Sequence, residues 1–516
     1  MGTLNKIFVV SFITFISRIL GLVRDMMITA ELGTDYIHSA YISAFTLPNL
    51  FRRLLGEGAL TSALVPVFSD EVHVSGLQPA FKLLNKVITW LTLMLVTLVA
   101  LGMLLMYHLS KIEGFESRWY YVFSFSMMLL PYMIFVCLTA VFSAALNVMG
   151  RYFLPAMSAA WLNLSMIAVL GLFCTSASSR LNVVYWLIAG VIVGGVIQLS
   201  VPIGQLYAIG WRPRISIYIS PPFYRILKLF MPGLIGASIM QINIAVSRLL
   251  AFNISDSAVS ILYLANRLVE LPLGMFVIAI TTVIFPDLSQ FASKGDDSKL
   301  ADAFGRGVNL ILTIVMPATV GLLVLRHEIL MILFEWGNFG QRDVLQVVPV
   351  LGVLALAMPF YALSTFFTRG FHSLKNTKTP VWISLVNFAV NIFATLVLMG
   401  PFGVVGIAYA NLLSVVIQTI LLYIFLVKMN EAFRLTGFLY PSFVIFSASC
   451  FMGLVVFGCI AYSEGMFGQG KLYSLVSVLI GIFFGIISYF MMLRILGMDK
   501  FSGKVWAFLV KKFRNW

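Results

Sequence analysis

The stretch ISRILGLVRD, residues 16–25, lies inside the first long apolar run of the chain and yet carries Arg18, Arg24 and Asp25. The run around it, 7–31, is long and apolar enough to cross a bilayer, whose roughly 30 Å core needs about 20 such residues in a helix. A charge at the centre of such a helix costs about 2.5–3.5 kcal/mol even on the lenient insertion scale. Three charges in ten residues therefore require a hydrated surface or close partners. The rest of the chain shows which kind of protein builds such a surface.

Of the 516 residues, 60% are hydrophobic and 10% charged, and the mean hydropathy is +1.00. Soluble globular chains carry about 25% charged residues. The reading is an all-α polytopic membrane protein of about fourteen segments: 7–31, 39–66, 84–108, 119–146, 154–175, 182–209, 226–251, 257–285, 307–333, 344–368, 379–400, 403–428, 440–463 and 472–496. The short alternating strands of an outer-membrane barrel are absent from this pattern, so a helical bundle is expected. The first segment has no A-x-A-like cleavage site and is expected to remain as a helix.

The formal net charge of +14 would suit nucleic acid, but the placement of the cations argues for a membrane instead. With the N-terminus inside, twenty-two of the 34 Lys and Arg residues face the cytoplasm, six face the opposite side, and six arginines lie within helices. This positive-inside bias puts both termini in the cytoplasm. The basic tail KKFRNW, 511–516, reads as an orientation signal beside anionic lipid. Cys137, Cys174, Cys450 and Cys459 make no C-x-x-C pair, the five histidines show no H-E-x-x-H spacing, and no G-x-x-x-x-G-K-[ST] occurs. No nucleic-acid partner, ATP site or bound cofactor is expected.

The polar stretch GWRPRISIYISPPFYRILK, 210–228, separates six segments from the next six. Two matches support a repeat: LTSALVPVFSD (60–70) aligns with ITTVIFPDLSQ (280–290), pairing Thr61 with Thr281 and Pro66 with Pro286, and GRYFLP (150–155) corresponds to KNTKTP (375–380). Six-helix units share an orientation and enclose a central site in many transporters. The expected organisation is an N-terminal lobe, 1–210, a C-terminal lobe, 211–430, and two accessory helices with a basic tail, 431–516.

Further charges lie inside the second and eighth segments. LPNLFRRLLGEG, 47–58, holds Asn49, Arg52, Arg53 and Glu57, with Asn49 one turn before the arginines and Glu57 one turn after Arg53. ANRLVELP, 265–272, holds Arg267 and Glu270. Five arginines against Asp25, Glu57 and Glu270 leave a positive excess, so the passage they line should suit an anion. Guanidinium forks match phosphate oxygens, which makes a phosphate or diphosphate the natural ligand. Arg53 with Glu57 also reads as a packing pair. Pro48, Gly56 and Gly58 beside one charged group, and Pro272 and Gly274 beside the other, permit bending.

With these residues in view, the chain resembles the MurJ (MviN) lipid II flippases of the multidrug/oligosaccharidyl-lipid/polysaccharide exporter superfamily. The resemblance rests on SRILGLVRD at 17–25, LPNLFRRLLGEGALTSALVPVFS at 47–69, NRLVELPLG at 266–274 and KTPV at 378–381, in that order, and covers essentially the whole chain. It implies two six-helix lobes around a cationic cavity and a groove for a polyprenyl tail at the last two helices. It also implies transport of lipid II, the undecaprenyl-diphosphate-linked disaccharide-peptide, to the outer leaflet by alternating access for cell-wall synthesis. Arg18, Arg24, Arg52 and Arg267, with Asn49, are the implied substrate contacts, and Asp25, Arg53, Glu57 and Glu270 the gating or ion-pair residues. The implied setting is the bacterial inner membrane, among membrane lipids and other cell-wall synthesis proteins.

The chain departs from the family pattern at Ser39 and Asn266, where acids are common, and both changes remove negative charge. Some members bind sodium; Asn387 and Asn391 are the oxygen donors available here, and the seventh segment offers no acid. Coupling to sodium or to the membrane potential is left open. The alternatives are a flippase for another polyprenyl-diphosphate-linked glycan and a membrane-embedded enzyme acting on polyprenyl diphosphates.

Overall fold

In hydrocarbon, backbone N–H and C=O groups must be satisfied within their own segment, and helices do this residue by residue. The computed structural model, which describes residues 3–56, 58–112, 116–174, 179–468 and 470–497, is helical throughout, with no β-strand among the described residues. The chain divides into two compact units, Met1–Ser260 and Ile261–Trp516.

The first unit contains α1 (Thr3–Leu32), α2 (Tyr36–Phe51), α3 (Ala59–Val74), α4 (Leu77–Leu109), α5 (Ser117–Leu129), α6 (Tyr132–Val148), α7 (Phe153–Val169), α8 (Arg180–Ala208) and α9 (Pro221–Ile254). Helix α2 starts because Asp35 caps it, its carboxylate accepting from the Ile37 and His38 amides at 3.0 and 3.1 Å. Arg180, the first residue of α8, donates to the same carboxylate at 2.7 Å and ties the two helix starts together. At its far end α2 passes into a π-helical turn, Arg52–Gly56, one turn after Pro48. Helix α9 packs on α3 and α2, and Arg225 at its start pairs with Asp70 at 3.0 Å. Compactness thus draws its line one helix later than the polar stretch 210–228.

The second unit begins within α10 (Ala258–Pro272) and continues through α11 (Ile278–Lys294), α12 (Asp297–Phe334), α13 (Gln341–Ser373), α14 (Lys378–Met429), α15 (Leu439–Phe467) and α16 (Lys471–Ile495). Again a proline, Pro272, precedes a π-helical turn, Leu273–Val277. The internal repeat reappears in local detail: the Thr61 hydroxyl donates to the Gly56 carbonyl and the Thr281 hydroxyl to that of Val277, in each case the last residue of a π turn. Pro66 and Pro286 then sit in the middle of α3 and α11.

Helix α14 is two helical arms joined by a kink at Gly403, whose φ of 56° is open to glycine at little cost. Asn391 on one side donates to Asn411 on the other at 2.8 Å. Twenty residues of straight helix would separate them by about 30 Å, so the chain folds back on itself here. Its return is close enough that a Cβ on Gly406 would lie 2.2 Å from the Leu398 carbonyl oxygen. Helix α14 is therefore two spans, as the expected segments 379–400 and 403–428 require. By length and composition alone nine helices among the described residues could cross a membrane, ten if the bent pair α5 and α6 forms one span. Fourteen is not reached by that measure, which counts α14 once and leaves out α1, α2 with α3, and α9. Charges inside α1 and at the break between α2 and α3 lower their apolar character.

The last two helices dock on α12. The Tyr489 hydroxyl donates to the Thr313 carbonyl at 2.8 Å, and Tyr473 donates to Glu328 at 3.3 Å. Between α15 and α16 the contact is made by small residues, including Gly481 and Gly485, the spacing that lets membrane helices approach closely. A Cβ on Gly485 would stand 3.0 Å from Val456 Cγ2. Gly485→Val is therefore expected to lower stability by about 1–3 kcal/mol through overpacking. Gly458→Val, where a Cβ meets nothing within 4 Å, should melt like the wild type in the same detergent.

Candidate functional site

Arg24 faces inward from α1 and is 8% exposed. A guanidinium that deep must have its donors taken up, and Asp25, Asn163 and the Met166 sulfur are among the groups that do so. Nε and Nη2 both donate to Asp25 Oδ1, at 3.0 and 2.6 Å, while Nη1 donates to Asn163 Oδ1 on α7 at 2.9 Å. Asn163 is itself held by its Nδ2, which donates at 3.0 Å to the Ser17 carbonyl, about two turns before Arg24 on α1. The Thr29 hydroxyl caps the Asp25 carbonyl at 2.7 Å. Arg24, Asp25 and Asn163 thus form a charged node that fastens α1 to α7 within the first unit.

Arg18, two turns from Asp25, is half-buried, and among the described residues no ion pair involves it. On α2 the expected Asn49–Arg52 contact forms: Arg52 Nε donates to Asn49 Oδ1 at 3.3 Å, and Asn49 Nδ2 donates to the Phe45 carbonyl at 2.8 Å. Both residues are half-buried, whereas Arg53 is exposed. Glu57, the expected partner of Arg53, lies outside the described residues. Arg248 on α9 donates to the Thr46 hydroxyl of α2 and so reaches inward to a neighbouring helix.

In the second unit Arg267 is half-buried and Glu270 exposed, on the helix turn just before Pro272. Asn266 Nδ2 donates to the Leu262 carbonyl at 2.8 Å, so this amide is spent on its own helix. The fully buried Ser39 hydroxyl donates to Ser260 at 3.3 Å. Two small hydroxyls here satisfy each other without a charge. Of the sodium candidates, Asn387 is half-buried, and Asn391 is buried with its Nδ2 donating to Asn411 and to the Ser414 hydroxyl at 3.3 Å. No cluster of three His, Cys, Asp or Glu suited to a metal occurs among the described residues.

Two buried polar residues escaped the reading of the sequence. Asn163 in WLNLS was a lone amide within an apolar segment, and an amide in hydrocarbon is itself a sign of a partner. Glu328 in LRHEILMILF is 5% exposed, held by Tyr473 across the contact with α16. Its signal was the same: a carboxyl inside a helix otherwise built for lipid.

Comparison with known proteins agrees with this arrangement. The family model described as Lipid II flippase MurJ matches residues 28–478. A probable lipid II flippase MurJ of Rhizobium meliloti (strain 1021) is 32% identical over 438 residues, 83% of this chain and 81% of that protein. Its counterpart in Bdellovibrio bacteriovorus is 28% identical over 510 residues, covering 97% and 96%. Among solved structures, a lipid II flippase MurJ in an inward closed conformation superposes with a TM-score of 0.76 at 25% identity, over 95% of this chain and 99% of that one. An inward-facing multidrug resistance MATE transporter of the MOP superfamily shares the fold at a TM-score of 0.66 and 10% identity, over 83% and 99%. With the arginine-bearing helices, the paired π turns and a family match that spans 28–478, the chain belongs to the lipid II flippase MurJ family.

Proposed function

We propose that this chain moves lipid II from the cytoplasmic to the outer leaflet of the bacterial inner membrane by alternating access, supplying cell-wall synthesis. The observation that carries the reading is Arg24, buried on a membrane helix and held by a carboxylate and an amide oxygen. A diphosphate offers the same kind of acceptor with more charge, and guanidinium binds it through two parallel N–H···O bonds. In this account the headgroup replaces Asp25 and Asn163 on Arg24, loosening α1 from α7. Arg18, Arg52, Arg267 and Asn49 then help hold the diphosphate, while Asp25, Arg53, Glu57 and Glu270 balance charge as the passage opens and closes. The polyprenyl tail stays in the bilayer beside α15 and α16.

Tight binding alone would trap the lipid. To shift the protein from 1:99 to 99:1 between two states, the headgroup must bind one about 10⁴-fold more tightly than the other. The drive we propose is the membrane potential. Each net negative charge carried outward from an inside-negative cell gains about 2.3 kcal/mol per 100 mV. Sodium held by Asn387 and Asn391 is the less supported coupling, since neither brings a charge. The excess of Lys and Arg on one side supports an orientation with both termini in the cytoplasm.

In cells depleted of the protein, lipid-linked precursor should become inaccessible to an externally added headgroup-cleaving enzyme, and wild type should restore access. Arg24→Ala at normal protein levels should not restore it, and Arg24→Lys should restore little, because an ammonium lacks the fork. Access unchanged by depletion, with no second flippase present, would sink the lipid II reading.

Asn163→Ala removes one charge-assisted hydrogen bond, worth about 1.5–3 kcal/mol, yet leaves Arg24 paired with Asp25. It should therefore weaken transport without abolishing it, and lower the melting temperature of the purified protein. Collapsing the membrane potential with ionophore while ion gradients are held should halt precursor access within minutes; persistence of access would point to an ion gradient as the drive.

A further inference from the structure

The segment between α8 and α9 is neither helix nor strand, yet its course is fixed. Trp211 is buried, its ring edge against Phe142 and its Nε1–H donating to Asn85 Oδ1 at 2.9 Å. Asn85 Nδ2 donates to the Arg212 carbonyl at 2.9 Å, the Ser216 amide to the Thr89 hydroxyl at 3.2 Å, and Trp90 Nε1–H to the Ile217 carbonyl at 3.1 Å. These last three ties keep a constant offset of 127 residues, so the segment is strapped onto α4 in the direction of that helix.

What the strap shows outward is unusual for a fixed loop at the end of a membrane helix. Ile215, Ile217, Tyr218 and Ile219 are 88, 59, 73 and 51% exposed. Ties at Arg212, Ser216 and Ile217 hold the backbone of this row against α4 while the side chains stay exposed. Cations flank them. Arg214 and Lys82 are exposed, and Lys86 lies over the Tyr218 ring at 5.1 Å. Residues 210–220 contain no acid, and the nearby Asp70 is taken by Arg225. An apolar and aromatic row rimmed by cations is the composition that sits at the boundary between headgroups and acyl chains.

We propose that this strap is a binding site for anionic phospholipid. Ile215, Ile217 and Ile219 enter the upper acyl region with the Tyr218 ring at headgroup level, while Arg214, Lys82 and Lys86 meet lipid phosphates. A zwitterionic lipid would cover the apolar row equally well, but among the described residues no ion pair engages Arg214, Lys82 or Lys86, so they select a net negative headgroup. In the orientation proposed above, the site belongs to the cytoplasmic leaflet. It rests on the membrane placement of α4 and not on which lipid the protein transports.

The test uses the full chain in nanodiscs of phosphatidylcholine alone or with phosphatidylglycerol. Both leaflets then carry the same lipid, so the result is independent of orientation and of flipping. Hydrogen exchange of 212–219 should slow severalfold in the anionic discs. After release from an equimolar phosphatidylethanolamine and phosphatidylglycerol mixture, native mass spectrometry should find phosphatidylglycerol preferentially retained. That preference should fall about fivefold or more in the double variant Lys86→Gln, Arg214→Gln, and not in Lys299→Gln, an exposed cation at the start of α12. Equal exchange in the two discs, or an undiminished preference in the double variant, overturns the proposal. So does slowing that appears only when a soluble protein fraction is added, which would make the strap a protein-docking surface.

Discussion

A guanidinium cannot be left alone in hydrocarbon, and much of the first unit is arranged around that fact. Arg24 is seated with Asp25 beside it on the same helix and Asn163 reaching across from α7. Breaking such a buried pair by removing one partner is expensive, about 3–5 kcal/mol, because it leaves an uncompensated buried charge. The three residues therefore hold α1 and α7 together as a unit.

The charges inside membrane helices were legible in ISRILGLVRD and LPNLFRRLLGEG because ionised residues are so costly there that their presence demands a reason. Single amides cost less and were passed over, which is why Asn163 went unnoticed although it completes the node. The contact between Asn49 and Arg52 followed from helical spacing, since both lie within one turn. Spacing could not foresee that Arg248 reaches Thr46 or that α9 packs with the helices before it, because those contacts depend on how distant segments meet. The hairpin at Gly403 was visible as a gap between two apolar segments, though only the backbone angle shows how the turn is made.

Outside the charged helices the chain uses small residues and hydroxyls in place of a hydrophobic driving force, which lipid does not provide between helices. Gly481 and Gly485 bring α16 against α15, Tyr489 and Tyr473 anchor the pair to α12, and Ser39 meets Ser260. Each of these is a short-range contact with little tolerance for added volume. The accessory helices are thereby joined to the second unit over much of their length, so a lipid tail resting against them would feel the second unit move.

The two π turns, Arg52–Gly56 and Leu273–Val277, carry a consequence for how such a chain arises and changes. A π turn accommodates one residue more than the regular helix around it. Everything downstream is rotated by about 100° relative to an uninterrupted helix, the angle of one residue. Removing a single residue from Leu273–Val277, which runs directly into α11, would let the helix close its ordinary ladder, swing the following face of α11 away from its neighbours, and carry Thr281 with it. The register of α11 is thus stored in one extra residue, a kind of information that substitution leaves untouched and that only insertion or deletion can rewrite.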